Sequence, residues 1–457
     1  MARNAPIVLI CIALTVLLAC SPKSTNLSLP LQTPETFSNT SAHPLSEHWW
    51  TDFGNANMDS LVNRALQSNF NLETAWQRLR AAQALVSGES AARFPDLNVR
   101  LGGEVERPKS PGDEKLRLGI TSEYEIDLWG RISSGIAAQH YRAKATHADY
   151  QTAALSLSAE VVRTYFQLTS AQNRLALFNH QIETNQKVLS LIKARFGSGQ
   201  TRSVDILRQK QLIESTREQK IITESRIQVL EHQLAVLLGR PPKAKIAYTP
   251  LSLPDLPPIP DAGLPAELIQ RRPDVQKAYN ILQAADRELA VALSNRYPRL
   301  TLTASGSSTS NNISGLFEDW TSNFAGNLLA PIFDGGQRRA EVKRNEAIKS
   351  EQLYSYGQKV LTAFQEVENA LIQEKKQSEQ IASIEAQVTL VRQTYDQLRI
   401  EYLNGLSDYL DVLTALTNEQ RLQRDLISAK LELLEFRVAL YRALAGGFKT
   451  DRETNNN

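Results

Sequence analysis

Hydrophobic side chains recur along this chain with two periods, one helical and one extended. Between residues 175 and 196 they alternate at spacings of three and four residues, which is typical of a helix that packs in a coiled coil. Much of the chain is rich in Ala, Leu, Gln, Glu, Arg and Lys, which are strong helix formers. We therefore predict long, paired helices. The apolar positions of this stretch are Leu175, Phe178, Ile182, Leu189, Ile192 and Phe196.

The same helical pattern returns 206 residues further along the chain. One heptad position is skipped in both copies, and it holds Asn185 in the first and Val391 in the second. A duplication explains this agreement better than chance. We therefore predict two tandem structural repeats, at 58–239 and 264–446. The matching apolar positions of the second copy are Ile381, Ile384, Val388, Tyr395, Leu398 and Tyr402.

Each predicted repeat has the same order of elements. A first helix is followed by two strands, a very long helix and a shorter helix that returns. A long helix of about 66 residues would reach roughly 100 Å, which is too long for a globular core and indicates a tube or rod. The predicted helices are 58–93, 131–196 and 200–239 in the first repeat, and 264–297, 337–404 and 406–444 in the second.

A proline-rich linker separates the repeats. Residues 240–263 contain seven prolines, and proline both removes a backbone donor and breaks a helix. We predict that this equatorial linker wraps the outside of the helices or acts as a stiff connector. Residues 447–457 are predicted to form a C-terminal tail.

The extended period occurs in four segments that alternate apolar and polar side chains. In the first, Leu97, Val99 and Leu101 share one face, and Asn98 and Arg100 share the other. Alternating segments of about ten residues are typical of transmembrane barrel strands, although a half-buried hairpin of a soluble protein alternates in the same way. Four strands are too few to close a barrel, whereas three copies would supply twelve. The predicted strands are about 96–106 and 115–128 in the first repeat, and about 299–309 and 322–333 in the second.

The N-terminal segment is typical of a secretory leader. Arg3 precedes a short apolar run that ends in Leu17-Leu18-Ala19-Cys20, and the run is too short to span a bilayer by itself. Its end resembles the lipobox of bacterial lipoproteins, in which the cysteine is acylated and becomes the first residue. We expect a signal peptide at 1–19, a lipid on Cys20 and an extended segment over 20–57. An ordinary signal peptide with a chance cysteine is the alternative.

Charge and motif content narrow the classes of function. The 51 Lys and Arg nearly balance the 49 Asp and Glu, so no basic excess indicates a nucleic-acid partner. The sequence has no phosphate-binding loop, Cys-x-x-Cys pair or nucleophile elbow. We therefore expect no enzyme activity, and no cofactor or metal apart from the covalent lipid. A structural coiled-coil lipoprotein would explain the helices and Cys20, but neither the strands nor the duplication.

Several short motifs occur together in a characteristic order. They are the aromatic segment Trp49–Phe53, the strand ends Glu125–Arg131 and Pro331–Arg339, and the sequence Arg-Arg-Pro-Asp-Val at Arg271–Val275. In these motifs the chain resembles the TolC-like outer-membrane factors, especially the NodT-type outer-membrane efflux lipoproteins. The resemblance covers nearly the whole mature chain. It implies a mostly α-helical homotrimer with a small β part, in which a twelve-stranded outer-membrane β-barrel continues into a periplasmic α-helical coiled-coil barrel.

The resemblance also implies a function and partners. Such a protein is a passive exit duct for small molecules such as drugs, and it docks on a periplasmic membrane-fusion adaptor and an inner-membrane transporter of the resistance-nodulation-division (RND) type. It would lie in the outer membrane, in contact with lipid. A channel for type I protein secretion is the alternative within the same class.

Residues at the periplasmic tips are the candidate gate that the resemblance implies. Tyr402 and Asp205 match positions that hold the duct closed, and we expect a hydrogen bond between them. Asp408, Leu410 and Asp411 would line the constriction. A structural explanation is also open, because a carboxylate in the first turn of a helix stabilises the helix dipole and Tyr402 occupies a coiled-coil core position.

Overall fold

A computed structural model describes residues 34–38, 44–105, 114–246 and 252–454. The predicted signal peptide and Cys20 lie outside these residues, as do 247–251 of the linker and 455–457 of the tail. The described chain is mostly helical and contains one four-stranded sheet. None of its helices is both long enough and apolar enough to cross a membrane.

The element order is the same in both halves of the described chain. A pair of helices leads into two strands, a helix of 67 residues and a helix of 35 or 36 residues. The helices are α1 (Ala56–Ser68), α2 (Phe70–Ser90), α3 (Arg131–Gly197), α4 (Ser203–Leu237), α5 (Pro265–Arg271), α6 (Pro273–Ser294), α7 (Gln337–Leu403), α8 (Tyr409–Leu444) and α9 (Asp451–Thr454). The strands are β1 (Asp96–Val105), β2 (Glu114–Ile126), β3 (Arg299–Ser310) and β4 (Thr321–Leu329). Short 3-10 helices occur at Trp49–Phe53, Ala91–Arg93 and Ser314–Phe317.

The first helix of each half is interrupted, which the apolar periodicity did not predict. Asn69 is extended between α1 and α2, and its side-chain oxygen accepts a hydrogen bond from the N–H of Leu72 at 3.0 Å. Arg272 is extended between α5 and α6, because the ring of Pro273 disfavours a helical conformation in the residue before it. The predicted helices 58–93 and 264–297 are therefore each divided in two.

The sheet is antiparallel throughout, in the order β1-β2-β3-β4. Its register aligns polar side chains across all four strands, because Asn98 pairs with Thr121, Thr121 with Ser305, and Ser305 with Asn323. Side chains that alternate with these form an apolar face that is exposed in the single chain. Its most exposed members are Leu97, Val99, Leu101, Phe324 and Leu328, each with more than half of its surface accessible.

Two strands end earlier than the sequence predicted. β2 ends at Ile126 rather than at 128, because the side chain of Asp127 accepts the first backbone N–H groups of α3. β4 ends at Leu329 rather than at 333, because Pro331 has no N–H with which to continue the ladder. The predicted end of the first strand, residue 106, lies outside the described residues.

Both terminal segments contain packed residues. Phe37 is buried against Phe364, with ring centroids 6.2 Å apart. Near the C-terminus, Phe448 packs edge-on against Trp50 at 5.2 Å. The described parts of the predicted segments 20–57 and 447–457 therefore pack on the helices through buried aromatic side chains.

The chain divides into two compact units. One contains Gln77–Ala148 and Asp274–Lys359, and with them the whole sheet. The other contains the described residues up to Trp76, Asp149–Pro273 and the residues from Val360 onward. The second unit holds the turns at which the long helices reverse direction, and the candidate gate residues lie there.

Candidate functional site: the tips of the two helical hairpins

Two helical hairpins carry the candidate gate residues. We call α3 with α4 the first hairpin and α7 with α8 the second. Each reverses at a glycine in the left-handed region, Gly199 with φ 74° and Gly405 with φ 75°. Glycine adopts this conformation without the steric penalty of a side chain, so both tips can be tight turns.

Asp205 is a buried carboxylate at the start of α4. Only 2% of its surface is accessible. It accepts hydrogen bonds from the hydroxyl of Thr201 at 3.0 Å and from the backbone N–H of Arg202 at 3.3 Å. The guanidinium of Arg208 lies 3.4 Å from its other oxygen. These donors and the helix N-terminus compensate the buried negative charge.

Tyr402 lies at the end of α7 and is linked to Asp205 through Thr201. Its hydroxyl donates to the hydroxyl oxygen of Thr201 at 3.3 Å, and Thr201 donates in turn to Asp205. The expected direct hydrogen bond between Tyr402 and Asp205 is therefore replaced by a bridge. Thr201 can form the bridge because a hydroxyl group both donates and accepts. The sequence pattern did not single out Thr201, which lies in the turn outside the heptad positions.

Arg195 forms a second link between the hairpins. Its guanidinium carbon lies 4.7 Å from the ring centroid of Tyr402, in cation–π geometry. The same guanidinium donates to the backbone carbonyl of Leu403 at 3.2 Å. Arg195 therefore connects the last turn of α3 with the end of α7, a role that no sequence motif indicated.

The other three candidate residues lie on the second tip and are exposed in the single chain. Asp408 is the N-cap of α8, but its side chain makes no capping hydrogen bond. Asp411 follows in the first turn, and Leu410 between them is 46% accessible. The structure therefore does not bring these residues into the buried cluster around Asp205 and Tyr402.

A chain of buried amides extends inward from the tips. Tyr409 donates to the side-chain oxygen of Gln209, and Gln209 donates to the backbone carbonyl of Asn185 at 2.8 Å. Asn185 and Gln420 exchange two hydrogen bonds, at 2.9 and 3.3 Å. Burial raises the pKa of Tyr409, and the neighbouring Tyr402 and Asp205 add to the shift. Asn185 is the polar residue at the skipped heptad position, so the sequence pattern marked this position as unusual before its contacts were known.

The chemistry available at the tips is reversible hydrogen bonding between two helical hairpins. In the described ranges, no group of three or more His, Cys, Asp or Glu side chains is arranged to hold a metal ion. Neutral hydroxyl and amide pairs dominate the contacts, and such pairs form and break at modest net free energy. The arrangement therefore suits an interface that holds one conformation and can release it.

A second recurrent feature lies where each half passes from strand to long helix. Asp127 accepts the N–H groups of Ile132 and Ser133 at 2.9 and 2.8 Å. In the other half, Asp334 accepts from the N–H of Gly336 at 3.0 Å and pairs with Arg338. Both carboxylates begin a 67-residue helix. These caps explain why the two strand-end motifs share an aspartate.

Comparison with known proteins agrees with this architecture. The family model described as "Outer membrane efflux protein" matches residues 61–240 and 264–446. The pyoverdine export outer membrane protein OpmQ of Pseudomonas aeruginosa is 30% identical over 419 residues, which cover 89% of this chain and 88% of that protein. The toluene efflux pump outer membrane protein TtgI of Pseudomonas putida is 30% identical over 412 residues and 86% of each chain. The solved structure of the outer-membrane channel OprN is 28% identical, with a TM-score of 0.84 over 93% of this chain and 99% of that one.

Proposed function

We propose a specific assembly on the premise that this chain belongs to the outer membrane efflux protein family: three copies form one continuous exit duct. The chain is an outer-membrane channel of a tripartite efflux system. One chain with four strands and two hairpins is too small to enclose a passage by itself, and the proposed assembly of three copies would enclose one.

The sheet is the observation that carries the proposal. Its apolar face is exposed, and β1 and β4 are its outer strands. Outer strands with free backbone groups tend to pair with another chain. If β4 of one copy pairs with β1 of the next, three copies close a twelve-stranded barrel, with the apolar face toward lipid and the polar face lining the passage.

The helices continue the passage into the periplasm. Each copy supplies two helices of 67 residues, each with a shorter returning helix. Three copies then form a coiled-coil barrel from equivalent hairpins, and the shared element order of the two halves supports their origin as tandem repeats. The linker 240–263 lies at the equator of this barrel.

The N-terminus adds a lipid anchor. Acylation of Cys20 after removal of residues 1–19 tethers each copy to the outer membrane. No other cofactor takes part, and the duct performs no catalysis.

The hairpin tips close the periplasmic end. Tyr402 and Asp205, bridged by Thr201, hold the second hairpin against the first. Asp408, Leu410 and Asp411 then face the axis and line the constriction. The exposure of these three residues in the single chain supports this placement. Docking on a periplasmic membrane-fusion adaptor and an RND-type inner-membrane transporter opens the tips, and small molecules pass through.

The proposal is tested by the mass and the conductance of the purified protein. Detergent-solubilised protein should have the mass of three chains, and in planar lipid bilayers it should give discrete channels of low conductance. A monomer that gives no channels would contradict it. Crosslinking in cells, followed by identification of the captured adaptor and transporter, tests the partners separately.

A further inference from the structure

The two hairpins share an apolar cluster at their tips, and further from the tips they meet through buried amides. Between α7 and α8, one buried apolar cluster consists of Ile381, Ile384, Leu422 and Ala429. Between the first and second hairpins, by contrast, Asn185 of α3 and Gln420 of α8 are 0% and 3% accessible and exchange two hydrogen bonds. A buried amide therefore occupies a place where an apolar side chain would also pack.

Asn185 and Gln209 have no amide at the equivalent positions of the other half. The residue 206 positions after Asn185 is Val391, and the residue 206 positions after Gln209 is Ala415. Val391 packs against the apolar core of the second hairpin, and Ala415 is buried. Pairing of a long helix with its returning helix therefore does not need amides at these positions, and Asn185 serves the contact between hairpins.

Buried amides favour one register over its neighbours. A shift of one helical turn, about 5.4 Å, would place the apolar Leu416 opposite Asn185 and leave that amide without its partner, while Gln420 would come to face Gln181. Unpaired buried polar groups are strongly disfavoured, whereas apolar side chains tolerate such shifts. A single polar residue in a coiled-coil core is known to select register in this way.

Gln181, one turn further from the tip on α3, adds polar contacts in the observed register. Its amide donates to the backbone carbonyl of Gln420 at 3.2 Å and to the side chain of Gln423 at 3.1 Å. Its side-chain oxygen accepts from Arg424 at 3.0 Å. Two of these contacts, to Gln423 and Arg424, lie on the side of the Asn185–Gln420 pair away from the tips.

We propose that the reciprocal amide pair of Asn185 and Gln420 sets the register of the first hairpin against the second, and so defines the closed arrangement of the tips. The link to closure rests on the proposed function, whereas the register itself does not. The tip residues Tyr402 and Thr201 then act only when the amide pair has aligned them.

Distance measurement between the hairpins tests this proposal. Spin labels are placed at Gln186 on α3 and Asn418 on α8, which are both exposed, and labelled chains are diluted with unlabelled chains in the assembled protein. The parent protein should give one narrow distance distribution. The double variant Asn185→Leu with Gln420→Met keeps the volume but removes the amides, and it should give a broadened or two-component distribution with an unchanged thermal midpoint.

Two control variants separate the amides from packing. Ile384→Leu changes the shape of the apolar core inside the second hairpin, and it should leave the distance narrow. The exchange Asn185→Gln with Gln420→Asn retains two amides, and it should restore a distribution narrower than that of the apolar pair.

The outcomes that contradict the inference are distinct from those that contradict the proposed function. A narrow parental distance in the apolar double variant would overturn the inference, as would loss of folded assembly, because the amides would then stabilise the fold rather than choose its register. A broad distance in the exchange variant equal to that of the apolar pair would also overturn it. Absence of channels from the parent protein, with the distances as expected, would contradict the proposed function alone.

Discussion

Arg437 and Glu374 form a buried, two-point ion pair between α8 and α7. The guanidinium donates to both carboxylate oxygens, at 2.8 and 2.6 Å, and the two side chains are 2% and 7% accessible. The same guanidinium donates to the backbone carbonyls of Pro257 and Pro258. One arginine therefore fastens the proline-rich linker to both helices of the second hairpin.

Loss of this arginine should be strongly destabilising. Arg437→Met leaves the carboxylate of Glu374 buried without its partner, which costs about 3–5 kcal/mol. Urea denaturation of the purified protein measures the change in the free energy of unfolding. Arg421→Met is the matched control, because Arg421 pairs with Asp425 on the exposed surface of the same helix, and such pairs contribute about 1 kcal/mol or less. Equal losses in the two variants would refute this role of Arg437.

The cap at the start of α3 should depend on an acceptor at position 127. Asp127→Ala removes the acceptor for two backbone N–H groups, and loss of such a cap costs about 0.5–2 kcal/mol. Asp127→Asn retains one acceptor oxygen and should recover most of the loss. Thermal denaturation distinguishes these outcomes. If the alanine and asparagine variants are equally destabilised, the negative charge of Asp127, rather than its capping hydrogen bonds, accounts for its contribution to stability.

Glu419 should make the second hairpin less stable as the pH rises. Burial raises the pKa of its carboxyl, with Asp396 adding to the shift and Arg392 opposing it. The folded state therefore binds the proton more tightly than the unfolded state, and stability is highest below the unfolded pKa and falls as pH rises through the folded pKa. Glu419→Gln keeps the oxygen that accepts from Gln423 and removes the charge.

The expected result is a gain in stability at pH 7 that disappears near pH 4, which denaturation midpoints at the two values measure. Glu218→Gln is the control, because Glu218 is an exposed carboxylate on α4. A gain from Glu419→Gln that persisted at pH 4 would show that its effect does not arise from ionisation.

The proposed lipid on Cys20 should assist localisation more than assembly. Cys20→Ala behind an ordinary signal peptide removes the proposed acylation site, whereas the strands of the proposed barrel remain. Trimers should still form, with a smaller fraction in the outer membrane. Membrane fractionation and crosslinking measure the two quantities separately. Complete loss of trimers would mean that the lipid is required for assembly itself.

Periodicity predicted the long helices closely because their apolar positions repeat over many turns. The observed α3 and α7 begin at Arg131 and Gln337, as the pattern indicated, and end within one residue of it. The break at Asn69 was missed, since one polar residue hardly changes the period of a long stretch. Helix boundaries are therefore set by individual caps that a pattern of apolar positions does not contain.

The candidate site was predicted less completely than the fold. Tyr402 and Asp205 were identified through the resemblance, but the bridging Thr201 was not. Contacts such as the one between Tyr402 and Thr201 join residues 201 positions apart, and heptad spacing shows only which positions face inward. Which polar side chains meet there depends on how the two hairpins align, and a sequence pattern does not specify that alignment.

Single-channel conductance in planar lipid bilayers tests whether three chains form a duct that is held closed at the hairpin tips. Thr201→Val removes the bridge between Tyr402 and Asp205 in every copy, at about 1 kcal/mol per hydrogen bond, whereas Thr201→Ser retains the hydroxyl. We predict low conductance for the parent protein and Thr201→Ser, and a several-fold higher conductance or frequent long openings for Thr201→Val. The same low conductance in all three proteins would contradict a closure that depends on this bridge.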